Sequence, residues 1–160
     1  MKRILSLTCV LVGLAALILG PATAYASPPA EVSGTYEFGT TTVVDVRHAG
    51  GNTIIRDITS QELDGDITGS AIFERTFILH SSGKFNVQGV STVAASVGDR
   101  SGTYTMKIVA AGDATTGAVE GKYVVLSGTE ELANMRGQGT LTGISNVAGT
   151  YSGQLHFDPE

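Results

Sequence analysis

The chain has 160 residues, with 15 acidic and 10 basic side chains, a net charge of −5, one cysteine and no tryptophan. An acidic chain without a basic cluster is a poor match for nucleic acid, which proteins bind mainly through lysine and arginine. The cysteine, Cys9, lies in an N-terminal segment that we expect to be removed. The sequence therefore predicts no disulfide, no thiolate metal site and no nucleic-acid partner.

The first 26 residues have the pattern of a secretory signal peptide. Lys2 and Arg3 form a short positive region, an apolar stretch follows over residues 4–19, and a small-x-small sequence ends at Ala26. The alternative is an uncleaved anchor, but the apolar stretch is at the short limit for a membrane-spanning helix. We expect a secreted or periplasmic protein without stable membrane insertion. Its charge changes from −5 to −7 because Lys2 and Arg3 leave with the signal peptide.

The remaining chain has the texture of an all-β protein. Residues 27–31 are expected to form a flexible leader, and residues 32–160 are long enough for one domain. Short alternating runs separated by glycine-rich turns are typical of an antiparallel barrel or sandwich. We predict eight strands, near residues 32–46, 52–63, 67–80, 84–95, 100–110, 117–126, 137–145 and 148–157.

Four tyrosines each follow a glycine by two residues. The pairs are Gly34 and Tyr36, Gly102 and Tyr104, Gly121 and Tyr123, and Gly149 and Tyr151. Residues two apart in a strand share a face, and a glycine lets the strand bend or a ring lie over its backbone. The pattern predicts a closed barrel with the rings inside, in which the first and last strands pair and remove the exposed edges. The phenols either pack in the core or donate hydrogen bonds to a ligand.

One segment departs from strand texture. Residues 130–135 carry helix formers, with residues 127–129 as an expected cap and Gly137 as a stop. We predict one short helical turn that packs Leu132 and Met135 against an end of the barrel.

Three stretches carry a family resemblance, namely residues 64–70, 100–104 and 126–139. The last resembles the Ser-Gly-Thr-Gly-Glu-Leu-Ala-Gly-Leu-Arg-Gly-x-Gly stretch of the uncharacterised bacterial DUF3224 family, and the others resemble its glycine-bounded hairpin and its Gly-Arg-Ser-Gly-Ser-Phe strand. Glu130 stands where that family usually has glycine, and Asn134 replaces another. The resemblance implies a single eight-stranded antiparallel barrel, similar to the allene oxide cyclase, dirigent and calycin-like barrels. It implies no established reaction.

Two arginines are candidate ligand-binding groups. Arg75 alternates with Phe73 and Phe77, and Arg56 alternates with isoleucines of its own strand, so both would enter the lumen if those faces point inward. Each buried guanidinium would then need an acidic partner, such as Glu62, or an anionic ligand. The opposite assignment places both arginines in water and turns inward a different set, namely Ile55, Leu63, Ile72 and Ile78. The ligand-lining candidates are Arg56, Glu62, Phe73, Arg75, Tyr36, Tyr104, Tyr123 and Tyr151.

No metal or cofactor site is predicted. Asp64, Asp66 and Thr68 alternate like the opening of a calcium loop, but the downstream glutamate is missing and Asp-Gly is a common hairpin turn. The histidines are dispersed, and no nucleophile elbow, zinc-binding pair or phosphate loop is present.

Three functions remain open. The first is a binder of a small apolar, amphipathic or anionic molecule, the second a cofactor-free cyclase or isomerase that uses Arg56, Glu62 and Arg75, and the third a structural module. The third would be a homo-oligomer that packs through outward-facing apolar residues, namely Val90, Val109, Val124 and Ile144. An apolar lumen favours the binder, a lumen with two or more charges the cyclase, and a filled barrel with an outer apolar stripe the module.

Overall fold

The computed structural model describes residues 27–159, so the expected signal peptide lies outside the described residues. Eight antiparallel strands follow one another around a single closed barrel, as predicted. They are β1 (Ala30–Ala49), β2 (Asn52–Gly65), β3 (Ile67–Leu79), β4 (Lys84–Val97), β5 (Arg100–Asp113), β6 (Ala118–Gly128), β7 (Met135–Ile144) and β8 (Ala148–Phe157). Within residues 27–159, no helix is long and apolar enough to span a bilayer.

The described chain is held to the barrel from its first residue. The backbone nitrogen of Ser27 donates to the carbonyl of Phe157 at 2.9 Å, and the nitrogen of Phe157 donates to the Ser27 hydroxyl at 2.7 Å. β1 begins at Ala30, two residues earlier than expected, so the segment before the barrel is shorter than the sequence suggested.

The interior follows the two-residue period of the strands. Alternate residues of β2 to β6 are buried, and the rings of all four tyrosines lie inside with exposures of 2% to 7%, as predicted. The outer face carries threonine, serine, charged side chains and half-exposed aliphatic residues, including Val90, Val109, Val124 and Ile144.

The barrel closes through a reciprocal exchange of rings between β1 and β8. Gly34 lies opposite Tyr151, and Tyr36 lies opposite Gly149. A Cβ atom at either glycine would collide with a backbone carbonyl and with the phenol of the tyrosine opposite. Each glycine therefore makes room for the ring of the neighbouring strand, rather than for the ring of its own strand. We call this stretch of pairing, from Ala30 to Glu37 of β1, the seam.

A single 3₁₀ turn, Glu130–Leu132, joins β6 to β7. The predicted contacts are confirmed, because Leu132 and Met135 are fully buried. The expected side-chain cap is absent, since the Thr129 hydroxyl donates to the carbonyl of Thr103 instead. Glu130 has φ +55°, a left-handed conformation that favours glycine. This conformation explains why glycine usually stands at that position in the DUF3224 pattern.

β1 extends beyond the end of its pairing with β8. Pairing with β8 ends at Glu37, and the nitrogen of Phe38 donates to the carbonyl of Val147 at 2.9 Å. Beyond that point β1 continues to Ala49, paired with β2 alone and interrupted by two register shifts. We call residues 39–49 the free edge, because they have a strand partner on one side only within the described chain, and every one of them is exposed.

Candidate functional site in the barrel lumen

The lumen contains a cavity of about 60 Å³ whose wall is mostly carbon. The four tyrosines contribute to it, together with aliphatic and aromatic residues such as Phe38, Phe73 and Met106. Gln61 and Ser145 are the other polar residues of the wall. A water molecule needs roughly 10–15 Å³ of such space, so the cavity has room for about four to six water-sized groups.

The four phenols differ in their hydrogen bonds. The Tyr151 hydroxyl accepts from the nitrogen of Ile67 at 3.0 Å and donates to its carbonyl at 3.2 Å. The Tyr36 hydroxyl donates weakly to the carbonyl of Thr142, at 3.4 Å. Within residues 27–159, the Tyr123 hydroxyl is buried without a partner, and the Tyr104 hydroxyl makes no hydrogen bond either. The lumen therefore holds two phenol groups with unused hydrogen-bonding capacity.

Burial keeps these phenols neutral. It raises the pKa of all four tyrosines, and it raises that of Tyr123 to about 12, with a further contribution from nearby Tyr151. For Tyr104, burial acts first, followed by the charges that Tyr123 and Tyr151 would carry. At neutral pH the phenols are hydrogen-bond donors and acceptors, and none of them is a phenolate base.

A buried ion pair lies on the inner face where β1 leaves β8. Arg75 Nε donates to Asp57 Oδ1 at 2.6 Å, and Nη2 donates to Oδ2 at 3.2 Å. Nη2 also donates to Asn146 Oδ1, in the turn between β7 and β8, at 2.7 Å. The guanidinium carbon lies 5.5 Å from the centroid of the Phe38 ring and 5.9 Å from that of Phe73. The charge of Arg75 is thus neutralised within the chain.

Residues 32–155 match the family described as "Protein of unknown function (DUF3224)". The chain belongs to the DUF3224 family. A crystal structure of a protein of unknown function from this family, from Shewanella oneidensis MR-1, is similar to it with a TM-score of 0.69 and 16% identity, over 83% of this chain and 100% of that one. At that identity the likeness shows the fold alone. No curated protein matches the chain.

In this DUF3224 barrel, the candidate residues fall into two groups. Phe73, Arg75 and the four tyrosines point into the barrel. Arg56 and Glu62 are exposed on the outer face, so the expectation that they line the lumen is wrong. The acidic partner of Arg75 is Asp57, rather than Glu62. The assignment that turns Phe73 and Arg75 inward thus holds for β3. On β2 the opposite assignment holds, which leaves Arg56 in water.

The reason for this error lies in the composition of β2. Both of its faces carry isoleucine, so alternation alone did not identify the inner face, which carries Asp57, Thr59 and Gln61. Two of these polar groups find partners, since Thr59 bonds to the Thr41 hydroxyl at 2.8 Å and Asp57 to Arg75. Counting outward from the predicted turn at residues 64–66 was the available signal, because it places the odd-numbered residues of β2 on the same face as Phe73 and Arg75. In the structure Asp57 lies directly opposite Arg75.

The contacts of Asp66 agree with a hairpin turn, rather than a calcium loop, at Asp64, Asp66 and Thr68. Asp66 Oδ2 accepts from the backbone nitrogen of Ser33 at 2.7 Å and from its hydroxyl at 3.3 Å. Within residues 27–159, no group of three or more histidine, cysteine or acidic side chains is placed to hold a metal ion.

Proposed function

We propose that this DUF3224 barrel is a secreted binding protein that holds one small, mostly apolar molecule with a hydroxyl or carbonyl group in its lumen, without a cofactor. The observation that carries the proposal is the apolar cavity of about 60 Å³ into whose wall Tyr104 contributes a phenol without a partner. An unfilled cavity of this kind costs stability on the order of 1–2 kcal/mol. A larger side chain at one wall position would remove that cost, so its retention favours a ligand.

The size of the cavity limits the ligand. Room for about four to six water-sized groups suits a molecule of roughly that number of non-hydrogen atoms. Long fatty acids and polyketides would have to displace core side chains. An anionic ligand is also disfavoured, because Asp57 already neutralises Arg75.

The cyclase alternative has less support. It needed two or three inward polar groups from the set Arg56, Glu62 and Arg75, and two of these are on the outer face. The third is engaged by both Asp57 and Asn146.

The proposal can be tested with cyclopentanol, which has six non-hydrogen atoms, as a probe. Binding is followed through the methyl resonance of Met106 and by thermal melting. We expect wild-type protein to bind with a Kd of about 1 mM or below. Ala110→Val narrows the cavity and should abolish binding, whereas Ala111→Val, on the exposed face one residue further, should not. Failure of wild type to bind, or equal binding by both variants, would contradict the proposal.

A second pair of probes tests the polar contact. Removing one neutral hydrogen bond costs about 0.5–1.5 kcal/mol. Tyr104→Phe should therefore weaken cyclopentanol binding by about 2- to 10-fold and leave cyclopentane binding unchanged. Tyr36→Phe is the matched control, because that hydroxyl already donates to Thr142.

A further inference from the structure

The free edge has the properties of an unfilled pairing site. Eleven residues, 39–49, have a strand partner on one side only within the described chain, and strands in globular proteins are usually about five or six residues long. Val43, Val44 and Val46 on this edge are 56%, 56% and 50% exposed. A long, exposed, apolar edge is a template for another strand unless the protein protects it.

The charges of the free edge are self-complementary. Asp45 and Arg47 are its only charged residues apart from the titratable His48. They precede and follow Val46 in the sequence, and their side chains share one face of the strand while that of Val46 points to the other. In an antiparallel pair of two copies with the two-fold axis at Val46, Asp45 of each copy faces Arg47 of the other. Asp45 already lies opposite Arg56 of β2, so the pairing would extend a row of alternating charge.

The local charge also distinguishes this edge from the remainder of the molecule. The chain as a whole carries a net charge of −5, which repels a second copy, whereas Asp45 and Arg47 cancel within the free edge. Both register shifts precede Asp45, so residues 45–49 pair regularly with β2 and present an undistorted edge.

We propose that two copies of this chain associate through their free edges, antiparallel and centred on Val46, to form one sheet that continues from barrel to barrel. Each of the three exposed valines gains a cross-strand neighbour in this arrangement, and the two Asp45–Arg47 pairs fix its register. Fixing the register matters because a slip by one residue would turn every side chain to the other face. The partner is a second copy, because an identical antiparallel strand brings both charges in the reverse order that the pairing needs.

Sedimentation equilibrium tests the proposal with two single variants. Asp45→Arg leaves two positive charges at both contacts, and Arg47→Asp leaves two negative charges. Each variant should weaken dimerisation by about tenfold or more, since like charges directly opposite each other are destabilising. Mixing the two variants should restore a dimer of one copy of each, because every contact then pairs opposite charges. Circular dichroism confirms that each variant is folded before mixing.

A second pair of variants separates the edge from the outer face of the barrel. Val46→Lys should dissociate the dimer, whereas Val109→Lys should leave it intact, although the two valines have similar exposures of 50% and 49%. A wild-type monomer at tens of micromolar, failure of the mixed variants to pair, or dissociation by Val109→Lys alone would each overturn the proposal.

Discussion

The two halves of β1 belong to one strand but have opposite surroundings. From Ala30 to Glu37 the strand pairs with β8, from Gly34 onward it also pairs with β2, and Gly34 and Tyr36 exchange contacts with Tyr151 and Gly149. From residue 39 to residue 49 it has β2 alone, and all its side chains are exposed. Closure of this barrel thus depends on matched small and aromatic residues on both strands, and pairing stops where that match ends.

Polar contacts stabilise the part of the barrel where the seam ends and the free edge begins. Arg75 of β3 connects Asp57 of β2 to Asn146 in the turn that precedes β8. Phe38 packs beside the guanidinium and donates its backbone nitrogen to Val147. At the end of the seam, a buried ion pair and its hydrogen bonds therefore hold the strands together, as ring and glycine contacts do along the seam.

Adding one methyl group to each half of β1 is the strongest test of this comparison. Gly34→Ala should destabilise the protein by about 3–5 kcal/mol, since the Cβ meets the carbonyl of Asp64 and the Tyr151 phenol, and moving that ring breaks its bonds to Ile67. Gly39→Ala should cost about 1 kcal/mol, because its Cβ collides only with the Ser60 hydroxyl, which can rotate away, and water can replace that group's exposed hydrogen bond from Thr40. Urea unfolding of both variants measures the difference, and similar losses would show that the seam has no special role.

The ion pair at the end of the seam gives the next largest effect. Arg75→Met leaves Asp57 buried without its cation and should cost about 3–5 kcal/mol. The double variant Asp57→Val/Arg75→Met should recover most of that loss, because no unpaired charge remains. Denaturant unfolding of the two singles and the double measures the coupling. A double variant as unstable as Arg75→Met would mean that packing against Phe38 and Phe73 matters more than the charges.

The sequence predicted the closed barrel and the inward rings because both follow from local, two-residue periodicity. The reciprocal contacts of Gly34 with Tyr151 and of Tyr36 with Gly149 were beyond it, since they depend on the register of strands more than a hundred residues apart. Arg56 was misplaced for a similar reason, as isoleucine occurs on both faces of β2. The free edge was missed because the matching glycine and tyrosine patterns predicted that the first and last strands pair, but they did not indicate where that pairing ends.

Alkaline pH should unfold the barrel, because burial raises the pKa of the tyrosines inside it. An unfolded tyrosine titrates near pH 10, whereas the pKa of Tyr123 is about 12 in the barrel and those of Tyr36 and Tyr151 are also raised. The unfolded state therefore loses protons first, so stability is complete below about pH 10 and falls as pH rises through about 12. Phenolate absorbance should rise together with loss of the circular dichroism signal. Titration of all four phenols near pH 10 in a folded protein would contradict this account.

The smallest effects concern two left-handed residues at opposite ends of the barrel. Glu130 has φ +55° and Asn146 has φ +59°. Glu130→Gly should stabilise the protein by about 0.5–1 kcal/mol, since relief of the left-handed strain exceeds the entropy that glycine loses on folding. Asn146→Gly relieves less strain and removes the acceptor for Arg75, so it should destabilise by about 1–2 kcal/mol. Changes of opposite sign in the melting temperature would show that Asn146 is retained for its hydrogen bond from Arg75. Equal stabilisation by both variants would show that backbone conformation alone determines stability at both positions.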